Sequence, residues 1–167
     1  NYLTTGIALN EIPLYMLFLI LALLILLSAF FSGSETGLMS LNRYRLKHLA
    51  DKNHGGAKRA AELLADPNKL ISLILLGNNF INIILTQLAT YIGYLMFGDA
   101  GIAIATGALT ITLLIFAEVT PKTLAASRPE SIAFPAAYVY KPLLKLLLPL
   151  VTVINWLSRM VLMLFQV

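Results

Sequence analysis

The chain contains no cysteine. That absence excludes disulfides and thiolate metal centres. Charge is also scarce. Asp, Glu, Lys and Arg make up 12% of 167 residues, about half the share usual in soluble domains, while 59% are hydrophobic. A soluble fold of this length could not hide so much apolar surface, so lipid is the solvent that suits the composition. The two histidines, His48 and His54, fall in a basic segment, and none falls in a predicted span. With no thiolate either, soft zinc or copper sites are excluded. There is no Gly-rich phosphate loop and no nucleophile elbow, and Ser32-Gly33-Ser34-Glu35 is not a hydrolase motif. The chain is therefore not expected to be an enzyme. The net charge of +4 raises the question of nucleic acid. The basic residues instead cluster beside apolar stretches, as they do in membrane proteins, and no nucleic-acid partner is expected. The N-terminal apolar stretch lacks a basic leader and a small-residue cleavage site, so no cleaved signal peptide is expected.

The apolar stretches predict an all-α integral membrane protein in one domain, residues 1–167. Its spans fall at about 13–33, 69–97 and 101–126. Between the first two lies a charged segment, about 35–66, that reads as two amphipathic helices broken at Asn53-His54-Gly55-Gly56. These lie on the membrane surface or pack under the bundle. Asp66-Pro67-Asn68 is a helix start, and Gly98-Asp99-Ala100-Gly101 a tight turn. In the last region, about 130–166, Pro135, Pro142 and Pro149 recur every seven residues and Lys141, Lys145 and Arg159 interrupt the apolar run. Such prolines predict a broken, proline-kinked juxtamembrane belt over Ser131 to Leu148, followed by a surface helix or linker from Asn155 to Phe165. A fourth span is the alternative. Lys and Arg fall between spans one and two and after span three, apart from Lys69 at the start of span two and Lys122 near the end of span three, which adjoin the same side. This places the N-terminus outside and the C-terminus in the cytoplasm of a multi-pass plasma (inner) membrane protein.

Three constellations carry polar chemistry. Glu118 stands in an apolar span, where a carboxylate costs about 2.5 kcal/mol or more and usually faces a cation, a cavity or a bundle interior. Pro121 cannot donate to the helix ladder, which predicts a break beside Glu118 with a freed carbonyl. The alternative is an ordinary helix-end pair with Lys122 at i+4. Ser28 and Ser32 share a helix face, and Gly33 permits an unwound turn that exposes its carbonyl; serine back-bonding or packing is the plainer reading. In the second span, Ser72 precedes Gly77, Asn78, Asn79 and Asn82, and Asn78 and Asn82 share a face. Asparagine here is either an oxygen ligand or interhelical glue. Taken together these are hard oxygen donors, suited to sodium, magnesium or calcium. One carboxylate leaves a divalent ion only partly neutralised, which suits reversible binding and transport.

The motifs Phe31-Ser32-Gly33-Ser34-Glu35-Thr36-Gly37-Leu38, Leu76-Gly77-Asn78-Asn79-Phe80-Ile81-Asn82 and Ala117-Glu118-Val119-Thr120-Pro121-Lys122 together resemble the transmembrane domain of the CorC/CNNM family of magnesium transporters. The resemblance runs from about Leu14 to the C-terminus. It implies a homodimer with three spans per protomer and a juxtamembrane belt helix. It implies Mg2+ as the transported ion, exported by alternating access in exchange for Na+. Carried over by position, it implies first-span ligands at Ser28, Ser32 and Gly33, second-span ligands at Ser72, Asn78 and Asn82, and an acidic ligand at Glu118. Family members usually continue into cytosolic CBS-pair domains. None lies in this chain, which therefore reads as a piece of a longer protein. A passive cation channel, or a non-transporting scaffold or sensor serving cytosolic domains, is the rival reading.

Overall fold

The computed structural model describes residues 12–167, within which all regular structure is helical. The segment expected to lie outside, before the first span, falls largely outside the described residues. Helix α1 runs Leu14–Met39, α2 Arg43–Asp51 and α3 Gly55–Leu64. They are followed by α4 Pro67–Phe97, α5 Asp99–Leu113, a π-helical turn Leu114–Val119, α6 Thr120–Ser127 and α7 Pro129–Leu164. Four helical stretches are long and apolar enough to cross a membrane: α1, α4, α5 through α6, and α7. The expected count of three rested on reading the last region as broken.

Short polar caps mark where the chain turns. The Asn42 side chain accepts from the Tyr44 and Arg45 amides at 3.0 and 3.1 Å and starts α2. Nδ1 of His54 accepts from the Ala57 amide at 3.1 Å and starts α3, so this exposed histidine serves as a helix cap. Asp66 caps α4, with Pro67 in the first turn, as the sequence signal predicted.

Helices α2 and α3 pack beneath the bundle. Leu46, Ala57, Ala60, Leu63 and Leu64 join Leu38 of α1, Leu70, Leu73 and Ile74 of α4, and Ala133, Ala136, Ala137 and Tyr140 of α7 in one core. Toward the far end of α1 a second, smaller cluster forms around Leu85, Ala89 and Leu109, packed by Leu21, Leu24 and Ile25. The connection from α4 to α5 is Gly98 alone, with φ +68°, a conformation glycine adopts without strain. The predicted four-residue turn is thus shorter, and Gly101 serves close approach instead. A methyl group at Gly101 would stand 1.8 Å from the Gly93 carbonyl oxygen.

Three expectations are corrected. Gly33 does not unwind its helix: α1 continues through it to Met39. The glycine allows contact, since a Cβ there would already touch Pro121 at 3.4 Å, and one at Gly37 would touch Ala133 and Pro129. The chain does not break before Pro121 either. It widens into the π-helical turn that contains Glu118. The last region is one 36-residue helix, not a broken belt followed by a separate helix. A seven-residue spacing keeps Pro135, Pro142 and Pro149 near one face, and all three are exposed. The i−4 carbonyls that they leave unpaired belong to Ser131, Tyr138 and Lys145, so the cost is gathered on the side away from the core.

Candidate cation site

The polar residues of the spans meet between the two apolar clusters. Ser28, Ser32 and Ser34 of α1 are the buried polar residues among those described. Ser28 and Ser32 stand one turn apart on the face that α1 turns toward α4 and the π-helical turn. The Ser28 hydroxyl donates to Asn82 Oδ1 at 2.6 Å and approaches Asn78 Oδ1 at 3.4 Å. The Ser32 hydroxyl donates to Glu118 Oε1 at 3.4 Å. The other carboxylate oxygen, Oε2, lies 3.1 Å from Lys122 Nζ. Both sequence readings of Glu118 therefore have a geometric counterpart. One oxygen faces the serine ladder and the other takes the i+4 lysine.

Backbone geometry sets this arrangement. In the π-helical turn the Thr120 amide donates to the Ile115 carbonyl, five residues back. The next position, Pro121, has no N–H to offer Phe116 in a π register or Ala117 in an α register. A carbonyl of this turn is thereby left without its ladder donor, within two residues of Glu118. Such π-helical turns occur most often at functional positions. Gly33 presses on Pro121 and brings α1 against this turn. Phe31 lies over Gly77, where a Cβ would meet its ring at 2.5 Å, so glycine at 77 admits the ring beside the Asn78–Asn82 face.

The structure brings Ser28, Ser32, Asn78, Asn82 and Glu118 together, with Gly33 adjoining through Pro121. It does not bring Ser72. That hydroxyl donates to Asn155 Oδ1 of α7, in a separate cleft of about 420 Å3 that also holds Asp66, Lys69 and Arg159. Ser72 precedes Asn78 by six residues, about 9 Å along the helix, so it cannot reach the same point. Asn79 is exposed on α4 beside Thr86 and Gln87. Two polar partners were missed from sequence. Asn155 sits in an apolar run and had the same signal as Asn78. Tyr140, fully buried and hydrogen-bonded to Ser34, had no signal beyond its aromatic character.

Among the described residues no three His, Asp or Glu side chains gather. What gathers is one carboxylate, two hydroxyls, two amide oxygens and nearby carbonyls. That donor set is hard and largely neutral, and it matches alkali or alkaline-earth cations rather than transition metals.

The fold is that of a helical membrane domain, and comparison with known proteins gives its family. The family described as "Cyclin M transmembrane N-terminal domain" (CNNM) matches residues 19–167, and the chain belongs to that family. It is 53% identical over 134 residues to the UPF0053 inner membrane protein YfjD of Escherichia coli, covering 80% of this chain and 31% of that protein. It is 49% identical over 146 residues to a UPF0053 protein of Haemophilus influenzae, covering 87% and 35% respectively. A chloroplastic DUF21 domain-containing protein of Arabidopsis thaliana is 38% identical over 116 residues, 69% of this chain and 18% of that one. The chain thus spans about a third of the length of these Escherichia coli and Haemophilus influenzae relatives.

Proposed function

We propose that this domain carries Mg2+ across a bacterial inner membrane, exporting it in exchange for Na+ by alternating access. Ser28, Ser32, Asn78, Asn82 and Glu118, with backbone oxygen near Gly33 and Pro121, hold the ion. Ser72 is left out of this set because it hydrogen-bonds Asn155 elsewhere. The observation that carries the reading is the buried serine ladder of α1, which joins the asparagines of α4 to the carboxylate of the π-helical turn.

The oxygens hydrogen-bond one another in this conformation. A cation would replace the Ser28–Asn82 and Ser32–Glu118 bonds, with each hydroxyl turning its proton away. Magnesium dehydrates reluctantly, so several oxygens must converge at once. Sodium, of lower charge, would compete for the same single carboxylate and drive the exchange. Separating α1 from α4 and α6 on one side and then on the other supplies the two openings. No side chain is assigned a catalytic role in this scheme.

The topology we favour has three spans, α1, α4 and α5 through α6, with α7 lying as a belt in the interface. Its support is the exposed proline stripe, since carbonyls left unpaired in hydrocarbon cost several kcal/mol each. The lysine and arginine distribution places α2 and α3 on the cytoplasmic side. Asn79, Thr86 and Gln87 lie exposed on α4, and a second copy of the chain is the partner we assign to that face. In the full-length protein, cytosolic CBS-pair domains follow.

Thermal stability titrated with Mg2+, Na+ and Ca2+ tests the reading. Selective stabilisation by Mg2+ that disappears in Glu118→Gln is the expected result. Equal responses of both proteins to every ion would sink the site. A second reading, a non-transporting scaffold, draws on the Glu118–Lys122 ion pair. Ion flux in vesicles reconstituted with the chain separates them, because a scaffold gives intact association and no flux. A passive channel would give flux without sodium coupling.

A further inference from the structure

A second polar feature lies away from the serine ladder. Where α3, the start of α4 and the middle of α7 meet, they enclose a groove of about 760 Å3. Four cations line it: Arg59, Lys69, Lys141 and Lys145. Arg59 lies over the Tyr138 ring at 4.3 Å, Lys69 pairs with Asp66 at 3.6 Å, and Lys141 pairs with Glu62 at 2.7 Å. Lys145 is exposed and takes part in no ion pair among the described residues. After Asp66 and Glu62 are set against them, two positive charges remain. The other wall is apolar, formed by Pro142, Leu144 and Leu148. Pro142 cannot donate to the Tyr138 carbonyl, and both residues line the groove, so a hydroxyl donor also has an acceptor there.

We propose that this groove binds the headgroup of an anionic phospholipid. Arg59, Lys69 and Lys145 would hold the phosphate, and Pro142, Leu144 and Leu148 the first part of an acyl chain. The charge is complementary and the wall is amphipathic. The level is also correct, because Asp66 and Lys69 mark the first turn of a membrane-crossing helix, where headgroups lie. Basic pockets between helices at this level are the usual receptors for anionic headgroups. The proposal does not depend on which ion the serine ladder holds.

The test uses the chain in neutral detergent with added phosphatidylglycerol or phosphatidylcholine. Retained lipid is counted by native mass spectrometry, and melting is followed in parallel. Phosphatidylglycerol should be retained in preference and should raise the melting temperature. Lys145→Gln should weaken that retention about fivefold while melting as wild type without lipid. Lys145→Arg should keep it, and Lys52→Gln, outside the groove, should leave it unchanged. Equal retention of both lipids, or an equal loss in Lys52→Gln, would overturn the proposal. So would inorganic phosphate displacing the lipid at equal concentration, which would make free phosphate the ligand. Phosphatidylglycerol retention that falls as the chain dimerises would show a second copy filling the groove, and would overturn the proposal likewise.

Discussion

The two ends of the bundle are built on different principles. At the end that carries α2 and α3, buried side chains from five helices interlock as in a soluble protein, with Phe30, Phe31 and Tyr140 in contact at its centre. At the other end the core shrinks to Leu85, Ala89 and Leu109, and most large apolar side chains of α1 and α5 point outward. There the helices hold by backbone approach, most closely at Gly93 and Gly101. Lipid tails are as apolar as leucine, so the outer end gains little from burying side chains and relies on small residues instead. The polar ladder lies on the seam between the two. Ile81 packs against both cores, and beside it the two ends are joined by hydrogen bonds that a cation could exchange.

The largest effect should come from breaking the outer end. Gly101→Ala places a methyl against the Gly93 carbonyl, and α4 and α5 must separate. We expect about 3 kcal/mol or more of destabilisation, read as early melting with secondary structure of the α2–α3 end retained. Uniform, single-step melting would show that the ends are not separable. At the seam, Glu118→Gln should abolish ion-dependent stabilisation worth about 2.7 kcal/mol at a hundredfold excess over Kd, with unliganded melting nearly unchanged. Ser28→Ala removes the bond to Asn82 and should cost about 1 kcal/mol without ion, and more with it. At the α2–α3 end, His54→Ala removes a helix cap and should also cost about 1 kcal/mol, seen only in the later melting step if the ends are independent.

The smallest effect is a pH dependence confined to the α2–α3 end. The hydrogen bond and charge of Lys141 hold the Glu62 carboxyl below its ordinary range. A carboxyl depressed in the folded state adds stability that is present above its unfolded pKa. That stability is lost as the pH falls through the folded value. Melting should therefore weaken slightly from about pH 5 downward, and Lys141→Ala should flatten this part of the profile. Both groups are exposed, so the slope should be shallow and should shrink in salt.

How much of this could be read from the sequence follows the same division. Long apolar runs and caps are local signals, and they placed the start of α1 and both ends of α4 and of α5 through α6 closely, while α1 runs past the expected end near 33 to Met39. That Ser28 and Ser32 share one face and Asn78 and Asn82 another, all hard donors, was legible because i, i+4 spacing is local too; which serine meets which partner was not. What failed was whatever depended on a neighbour. Gly33 and Gly101 read as turn residues, but each faces another helix, and only the partner shows that the glycine serves contact. Pro121 read as a break because the sequence holds no sign that the ladder can widen by a residue and carry on. Three prolines read as three kinks, since nothing local reveals that they share an exposed face. Ser72 read as a member of the ladder because its helix is right; its distance along that helix is what excludes it.

The length of α7 sets a limit on how it can meet a bilayer. Thirty-six residues make a rod of about 54 Å. That exceeds a hydrocarbon slab of about 30 Å, so a spanning posture would leave part of α7 outside the slab, as it does for α4, whereas a rod that lies flat keeps its whole length at one depth. It would cover a strip of membrane surface longer than the bilayer is thick, with Trp156 at headgroup depth as tryptophans commonly are. In that posture α7 would act as a float: it would fix the depth at which α1, α4 and α6 sit, and so the height in the membrane of the serine ladder.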